Sequence, residues 1–201
     1  MKKLIILFLL ASNFAFAQDH KDLMISLGIG MIGSPSGRYF KSPEVGLGYA
    51  IDANYFIKKR HIFSLNYTTG NHEYVSRFNE DISKSTAVSF FPTSKVEFRS
   101  FSLMYKYRVI DINRFSMALG TGLGILTHLS RFPLYEENNN FWQFQSFAFA
   151  GSSNLAFPFK AELSFNISQH WTVGVESGIF LMPDFPWSGF HLLPRVSYIF
   201  R

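Results

Sequence analysis

An alternation of large and small side chains occurs eight times between residues 23 and 200, and it constrains the fold more than any other feature. In the fifth repeat, large residues predominate at odd positions from Phe115 to Ile125, and the even positions hold Ser, Ala and Gly. A period of two predicts β-strand, because successive side chains of a strand point to opposite faces. The predicted strands cover residues 23–33, 44–55, 63–68, 100–109, 115–125, 154–167, 171–181 and 192–200.

The two faces of these strands indicate what surrounds them. One face is aliphatic and aromatic, and the other holds small residues and sparse charges, as in a transmembrane β-barrel with lipid outside. A soluble lipocalin-type barrel would also alternate, but its polar face would meet water and carry Lys, Glu, Thr and Gln. The glycines of this face favour the membrane barrel, because eight strands leave a narrow interior. They are Gly28, Gly30, Gly46, Gly48, Gly120, Gly122, Gly124 and Gly174.

The connections between the predicted strands alternate in length. They are short after strands two, four and six and longer after the others, as in outer-membrane barrels with short periplasmic turns and long surface loops. The sequence therefore predicts an all-β fold, an eight-stranded antiparallel up-and-down transmembrane β-barrel. We expect the long segments 70–95 and 128–153 to carry binding specificity. Their aromatic residues would either extend the barrel wall as hairpins or contact a partner.

The first residues predict export. Lys2 and Lys3 precede the apolar run Leu4–Leu10, and Ala15-Phe16-Ala17 has the form of a cleavage site. This pattern predicts a signal peptide over residues 1–17, a barrel domain over residues 18–201 and a location in the bacterial outer membrane. The chain has no cysteine, which excludes disulfides and thiolate chemistry. Its formal charge of +5 is dispersed along the chain, without the basic patch of a nucleic-acid-binding protein.

Seven charged residues fall on the inward face at similar predicted heights. We expect them to form one interlocked layer, because charges in a low-dielectric interior require partners. The interpretation we favour is a structural salt-bridge plug, and the alternative is a selectivity or gating ring. The seven are Asp52, Lys106, Arg108, Lys160, Glu162, Glu176 and Arg195.

Aromatic residues cluster near the predicted strand ends, where a membrane interface suits their apolar bodies and polar edges. The chain has 24 phenylalanines. One predicted girdle, beside the short turns, comprises Tyr55, Phe63, Tyr107, Phe115, Phe165, Trp171 and Tyr198, and a second, near the long loops, comprises Tyr39, Phe98, Phe101, Phe157 and Phe190.

The last strand, Arg195-Val196-Ser197-Tyr198-Ile199-Phe200-Arg201, is similar to the C-terminal signal that the barrel-assembly machinery reads. With this strand and the overall architecture, the chain resembles the small OmpA/OmpX-type outer-membrane barrels, including the porin-like barrel domains of Bacteroidetes-type bacteria. Their pattern usually ends on the aromatic residue, whereas here Arg201 follows. The resemblance implies outer-membrane lipids, lipopolysaccharide and the assembly machinery as partners. It also implies a non-enzymatic role in the envelope or in surface binding, with passage of small solutes or hydrophobic molecules as the alternative.

A second alternative is a lipid A-modifying enzyme. Outer-membrane deacylases use a His-x-Ser pair with a downstream acid, and this chain has His128-Leu129-Ser130 with Glu136 and Glu137 beyond. The Asn that usually follows the Ser is replaced by Arg131, and the pair has inward parity. The favoured interpretation is therefore that these are polar residues where a strand emerges. The pattern predicts neither a metal site nor a cofactor.

Overall fold

The computed structural model describes residues 22–34, 45–74, 93–138, 141–183 and 189–200, and in these ranges the chain forms a closed barrel. Each strand pairs antiparallel with the next, and β8 returns to pair with β1. This confirms the predicted fold class. The strands are β1 (Leu23–Gly33), β2 (Val45–Lys58), β3 (His61–Tyr74), β4 (Ser94–Ile112), β5 (Phe115–Asn138), β6 (Phe141–Asn166), β7 (Trp171–Leu181) and β8 (Gly189–Phe200).

Three short connections mark one end of the barrel, which we call the turn end. They are Lys59–Arg60, Asn113–Arg114 and residues 167–170. Asn113 has a φ of 51°, a left-handed conformation that Asn tolerates better than most residues. The opposite end, which we call the hairpin end, carries the tip of the β5–β6 hairpin. The predicted signal peptide, Tyr39 and Arg201 lie outside the described residues. Among the described residues, no helix is long and apolar enough to cross a membrane.

The β5–β6 hairpin extends well beyond the predicted strand ends. For the segment 128–153 the sequence analysis left open a hairpin that extends the barrel wall, and this alternative is confirmed, because β5 continues to Asn138 and β6 begins at Phe141. A bulge shifts the register between Leu134 and Tyr135, where Leu134 faces Ser146 and Tyr135 faces Phe144. An extra residue on one strand reverses the parity of the side chains beyond it. The alternation that revealed the other strands is therefore interrupted here, although strand pairing continues.

Side chains of both faces lie as the alternation predicted in most of the barrel. The outward residues include Leu27, Ile29 and Leu47, each more than half exposed, whereas Ser26 and Asp52 of the same strands are buried. Glycine makes room for the large inward groups. A Cβ atom built on Gly120 would lie 2.7 Å from Cγ of Lys106, so a larger residue would displace the lysine from the interior.

Candidate functional site

Six charged side chains from five strands meet in the middle of the barrel, and we call them the charge cluster. They are Asp52 on β2, Lys106 on β4, Lys160 and Glu162 on β6, Glu176 on β7 and Arg195 on β8. Each is at most 4% exposed. The register explains the convergence: the sequence places each residue on the inward parity, and strand pairing sets Glu162 directly opposite Glu176 and Lys106 opposite Gly120.

Ion pairs connect the whole cluster. Lys106 Nζ lies 2.5 Å from Glu162 Oε1 and 3.4 Å from Asp52 Oδ1. Lys160 Nζ lies 2.5 Å from Glu176 Oε1 and 3.8 Å from the same Asp52 oxygen. Arg195 spans both halves, since its Nη2 is 2.9 Å from Glu162 Oε2 and its Nη1 is 3.3 Å from Glu176 Oε2. Three acids thus balance three bases, as buried charges require.

Neutral polar side chains complete the hydrogen bonding around the cluster. Asn54 accepts a hydrogen bond from Lys106 Nζ at 2.9 Å, and Asn66 donates one to Asp52 at 2.9 Å. Thr68 in turn donates to Asn66 at 3.0 Å. These contacts hold the lysine and the aspartate from the β2 and β3 side of the barrel. Through Asn66 and Thr68, β3 contributes neutral polar side chains to the interior, although none of the six charged residues lies on that strand.

His191 belongs to the same network, and sequence reasoning missed it. Its Nε2 lies 2.9 Å from Glu176 Oε1, and the residue is 1% exposed. The signal was present: His191 shares the inward parity of Arg195 on β8, but the predicted strand began only at residue 192. The histidine ring also lies 5.5 Å from the ring of Phe180, centroid to centroid. It therefore joins the cluster to the apolar side chains nearer the hairpin end.

Arg108 lies apart from the charge cluster, contrary to the prediction of one seven-membered layer. Its guanidinium is 3.5 Å from Asp111 Oδ2 and stands over the ring of Phe56 at 5.1 Å. It lies two residues nearer the turn end than Lys106, and the register of β4 shifts between Arg108 and Ile110. The arginine therefore faces the wider opening of the barrel, where its side chain remains about one fifth exposed.

Apolar side chains lie on both sides of the charge cluster. Towards the hairpin end, Ile32, Phe98, Leu126, Ala156 and Phe180 form a buried group, which we call the upper apolar layer. The rings of Phe98 and Phe180 are 5.9 Å apart in a T-shaped arrangement. Towards the turn end, a second buried group contains Met24, Phe56 and Ile62. The prediction that Phe98 belongs to an outer girdle was wrong, because its even position places it inside.

The other described girdle residues lie on the outer surface. Trp171 is half exposed and contacts the ring of Tyr198 at 5.0 Å, and Tyr198 contacts Phe200 at 4.8 Å. Nearer the hairpin end, Phe101 and Phe157 are exposed. A ring of aromatic side chains thus surrounds the turn end, where the sequence analysis predicted it.

A cavity of about 610 Å³ opens at the turn end and reaches inwards to Glu162 and Arg195. Met24, Phe56, Ile62 and Ile199 supply an apolar part of its wall, and Ser116, Ser164, Asn166 and Thr172 supply a polar part. The interior of the barrel is therefore hollow near the turns, and the charge cluster lies between this cavity and the upper apolar layer.

The three carboxylates of the charge cluster raise the question of a metal site. Asp52, Glu162 and Glu176 each have an oxygen within 4.8 Å of the others. Each of these carboxylates also has an oxygen within 3.4 Å of a lysine Nζ. The positive charge that these carboxylates require is thus supplied by the protein's own side chains.

The candidate catalytic set of a lipid hydrolase is not brought together. His128 and Ser130 lie on β5, and the ring of His128 is 6.4 Å from that of Phe98. Glu136 is six residues beyond Ser130 on the same strand, which places it roughly 20 Å away. It interacts with Gln145 of β6 at 3.5 Å instead. An acid at that distance cannot orient the histidine of a catalytic triad.

A groove of about 450 Å³ lies on the outer surface at the base of the hairpin. It is lined by Asn71, Lys95, Glu97, Leu129, Arg131 and Phe149 of strands β3 to β6, among others. Phe149 is the most exposed large apolar residue described, at 78%. Arg131 stacks over the ring of Phe147 at 4.5 Å. Basic and aromatic side chains thus occupy neighbouring positions at the base of the hairpin.

The architecture is shared with solved structures of bacterial surface proteins. Ail, the attachment invasion locus protein of Yersinia pestis, has 11% identity and a TM-score of 0.58, covering 90% of this chain and 100% of Ail. Neisserial surface protein A has 10% identity and a TM-score of 0.55, covering 90% and 98%. This chain has the fold of the small eight-stranded outer-membrane β-barrels. OprG from Pseudomonas aeruginosa has 14% identity and a TM-score of 0.51, covering 92% and 99%.

These similarities confirm the predicted resemblance at the level of the fold. No protein-family model matches the sequence, and no curated protein matches it.

Proposed function

We propose that the chain is an integral outer-membrane protein whose interior is closed and whose function is performed by the surface that it displays at the hairpin end. The observation that carries the first half is the charge cluster, in which six buried side chains interlock across the barrel between two apolar groups. A conducting pore would need a continuous hydrated path. The turn-end cavity reaches Glu162 and Arg195 of the charge cluster, which supports closure at this height.

Location in the outer membrane is supported by three independent features. The sequence begins with a predicted signal peptide, and the outer surface of the barrel carries a belt of exposed Leu, Ile, Phe and Val. Closure of the ring leaves no open strand edge within that belt, as hydrocarbon requires. In this orientation the turn end faces the periplasm and the hairpin end faces the exterior.

Surface binding is supported by the length of the hairpin. β5 and β6 pair with each other up to Asn138 and Phe141, whereas β4 pairs with β5 only as far as Lys95 opposite Arg131. The last part of the hairpin therefore extends beyond both neighbouring strands. Ail, which shares the fold, is named for attachment and invasion and has a structure in complex with a heparin analogue. We propose an attachment or ligand-capture role for this hairpin.

Shortening the hairpin tests this role. Residues 133–147 would be replaced by Asn-Gly, which closes a two-residue turn between Phe132 and Ala148. A non-adherent Gram-negative strain would display either form, and attachment to epithelial monolayers and to immobilised heparin would be measured. We expect attachment with the full-length chain and its loss with the shortened one. Equal attachment by both forms, at equal surface amounts, would refute the role.

Lipid partners belong to the same proposal. Lys95 and Arg131 stand beside Leu129 and Phe149 in the groove at the hairpin base, a combination that suits a lipid phosphate and its acyl chain. The terminal strand β8 would be the segment that the barrel-assembly machinery recognises. We expect Lys95→Gln with Arg131→Gln to reduce the lipopolysaccharide that copurifies with the protein, measured by mass spectrometry. An unchanged amount of copurified lipopolysaccharide would show that the groove does not bind it.

A further inference from the structure

The turn-end cavity has the size of a small-molecule binding site. Its volume of about 610 Å³ falls within the range of roughly 300–1,000 Å³ that such sites occupy. The cavity is open at the turns and ends at the charge cluster. There, Arg195 Nη2 and Glu162 Oε2 lie 2.9 Å apart, so the charges of the floor already neutralise each other. The chemistry of a ligand would therefore be selected by the walls and the mouth of the cavity.

The walls of the cavity differ in chemistry from one side to the other. The wall formed by β1, β2, β3 and β8 is apolar and consists of Met24, Phe56, Ile62 and Ile199. The wall formed by β5, β6 and β7 carries hydroxyl and carboxamide groups, those of Ser116, Ser164, Thr172 and Asn166. Thr172 Oγ1 donates a hydrogen bond to Asn166 Oδ1 at 2.8 Å, which uses only part of the hydrogen-bonding capacity of the two side chains. A ligand that fits both walls has an apolar side and a hydrogen-bonding side.

The mouth of the cavity carries an excess of positive charge. Lys59 Nζ and Arg108 Nη1 lie 4.0 Å and 3.5 Å from the same oxygen of Asp111, so two cations share one carboxylate. Outside the charge cluster, the charged residues described at the turn end are Lys58, Lys59, Arg60, Arg108 and Arg114 against Asp22 and Asp111. An excess of one sign at a cleft raises the local concentration of ligands of the opposite sign. The mouth therefore favours an anionic ligand.

Arg108 is placed to bind the anionic group. Its guanidinium stands over the ring of Phe56 at 5.1 Å, where the mouth joins the apolar wall. Its contact with Asp111, at 3.5 Å, is longer than the roughly 2.7–2.9 Å of a charge-assisted hydrogen bond. A guanidinium has several N–H donors in a fork that matches the two oxygens of a carboxylate. Arg108 can therefore receive a second carboxylate beside Asp111.

The walls and the mouth together select one class of ligand. A fatty acid would use the arginine and the apolar wall, but it would cover the polar wall without forming hydrogen bonds, which costs free energy. An uncharged sugar would use the polar wall and leave the arginine without an anion. A short peptide supplies a C-terminal carboxylate for Arg108, backbone N–H and C=O groups for the polar wall and a side chain for the apolar wall.

We propose that the turn-end cavity binds a short peptide with a free C-terminal carboxylate and an apolar side chain. The carboxylate pairs with Arg108, the side chain lies against Met24, Phe56 and Ile62, and the backbone forms hydrogen bonds with the polar wall. In the orientation proposed above, such a peptide enters from the periplasm. The inference concerns the opposite end of the barrel from the hairpin and goes beyond the proposed surface function.

Calorimetric titration of the full chain in lipid nanodiscs, with empty nanodiscs subtracted, tests the class of ligand. The probes are N-acetyl-alanyl-leucine, the same peptide with a C-terminal amide, and decanoate. We expect saturable binding of the peptide acid. The affinity should be at least about tenfold lower for the amide, which lacks the anion, and for decanoate, which leaves the polar wall without hydrogen bonds.

Two results of this titration contradict the proposal. Absence of saturable binding by the peptide acid overturns it altogether. Equal affinity for decanoate overturns the peptide class, because an anionic hydrocarbon chain would then be sufficient.

Substitutions test whether the peptide occupies the cavity. Arg108→Gln removes the partner of the carboxylate and lowers the affinity for the peptide acid at least about tenfold. Arg114→Gln is the matched control, because it removes the same charge from an exposed turn residue outside the cavity lining and leaves the affinity within about twofold. Ala118→Leu fills part of the cavity and abolishes binding.

Heat-modified electrophoretic mobility confirms that each of these variants is folded. Unchanged affinity in Arg108→Gln, or equal losses in Arg108→Gln and Arg114→Gln, would show that the peptide responds at most to the net charge of the turn end and would refute the site.

A spin label locates the bound peptide, because the chain has no cysteine of its own. Gln169→Cys places a nitroxide in the turn between β6 and β7, and Gln145→Cys places one near the tip of the β5–β6 hairpin. The two positions are separated by roughly 70 Å along β6. We expect the label at residue 169 to broaden the NMR signals of the peptide and the label at residue 145 to leave them sharp. The reverse result would place the peptide at the hairpin end and exclude the cavity.

The attachment assay with the shortened hairpin is a separate measurement at the other end of the molecule. Failure of the attachment role therefore leaves the peptide site standing, and failure of the peptide site leaves the attachment role standing.

Discussion

At the scale of single residues, two inward arginines of the barrel lie in different environments. Arg195 belongs to the charge cluster, and Arg108 lies outside it. Arg195 is 4% exposed and contacts three carboxylates, whereas Arg108 contacts Asp111 near the open cavity. Removal of one member of a buried ion network leaves its partners charged and uncompensated. Removal of a partly solvated arginine leaves a carboxylate that water can reach.

We therefore expect Arg195→Leu to destabilise the barrel by about 3 kcal/mol or more. Arg108→Leu is the matched control, with an expected cost below about 1 kcal/mol. Urea-induced unfolding of both variants in lipid vesicles, followed by tryptophan fluorescence, measures the two costs. Equal costs would show that the network around Arg195 does not depend on its charge.

A second prediction at this scale concerns substitution of Gly120. Because a Cβ atom there would collide with Lys106, Gly120→Val displaces the lysine from Glu162 and Asp52 or strains the wall. We expect a loss of about 1–3 kcal/mol in the same unfolding assay. The control is Thr121→Val on the outer face of the same strand, which we expect to be nearly neutral. A neutral Gly120→Val would mean that the interior tolerates an added side chain at this position.

At the scale of elements, the sequence predicted those strands whose alternation is continuous. β1, β7 and β8 begin and end close to the predicted positions, because outward and interior residues differ sharply there. The β5–β6 hairpin could not be delimited in this way. Its bulge at Leu134 and Tyr135 reverses the parity, and its acidic turn resembles a loop. Parity also assigned six cluster charges to the interior, but it could not separate Arg108, which has the same parity as Lys106 and lies two residues nearer the turn end.

We expect the extended part of the β5–β6 hairpin to contribute little to the stability of the barrel. Residues 133–147 pair only within the hairpin among the described strands, so their loss removes no strand pairing with β4 or β7. We expect the form with Asn-Gly in their place to keep the heat-modified electrophoretic shift of the parent barrel, with an unfolding midpoint within a few degrees. A large decrease in the midpoint would show that the extension supports the barrel itself.

At the scale of the whole molecule, the barrel reverses the arrangement of a soluble protein. Most of its large apolar side chains are outside. Its interior is ordered by height: a cavity at the turn end, the charge cluster, and the upper apolar layer. The charges balance within the protein, which allows them to remain in a site without bulk water. The upper apolar layer separates the cluster from the hairpin end, whereas the turn-end cavity reaches Glu162 and Arg195 from the other side. The closure proposed above would therefore depend on two stacked layers, the charge cluster and the upper apolar layer, rather than on one residue.

We predict that two barriers in series, the upper apolar layer and the charge cluster, block ion flow through the barrel. Phe98→Ala with Phe180→Ala opens the upper apolar layer but leaves the charge cluster, and Asp52→Ala with Lys106→Ala loosens the cluster but leaves the aromatic pair. We expect the parent protein and each double variant to be silent in planar bilayers, and the quadruple variant to show conductance steps, because an ion crosses only when every barrier is open. Heat-modified electrophoretic mobility confirms that each variant is folded. Conductance from either double variant alone would show that one layer closes the barrel, and conductance from the parent would refute closure.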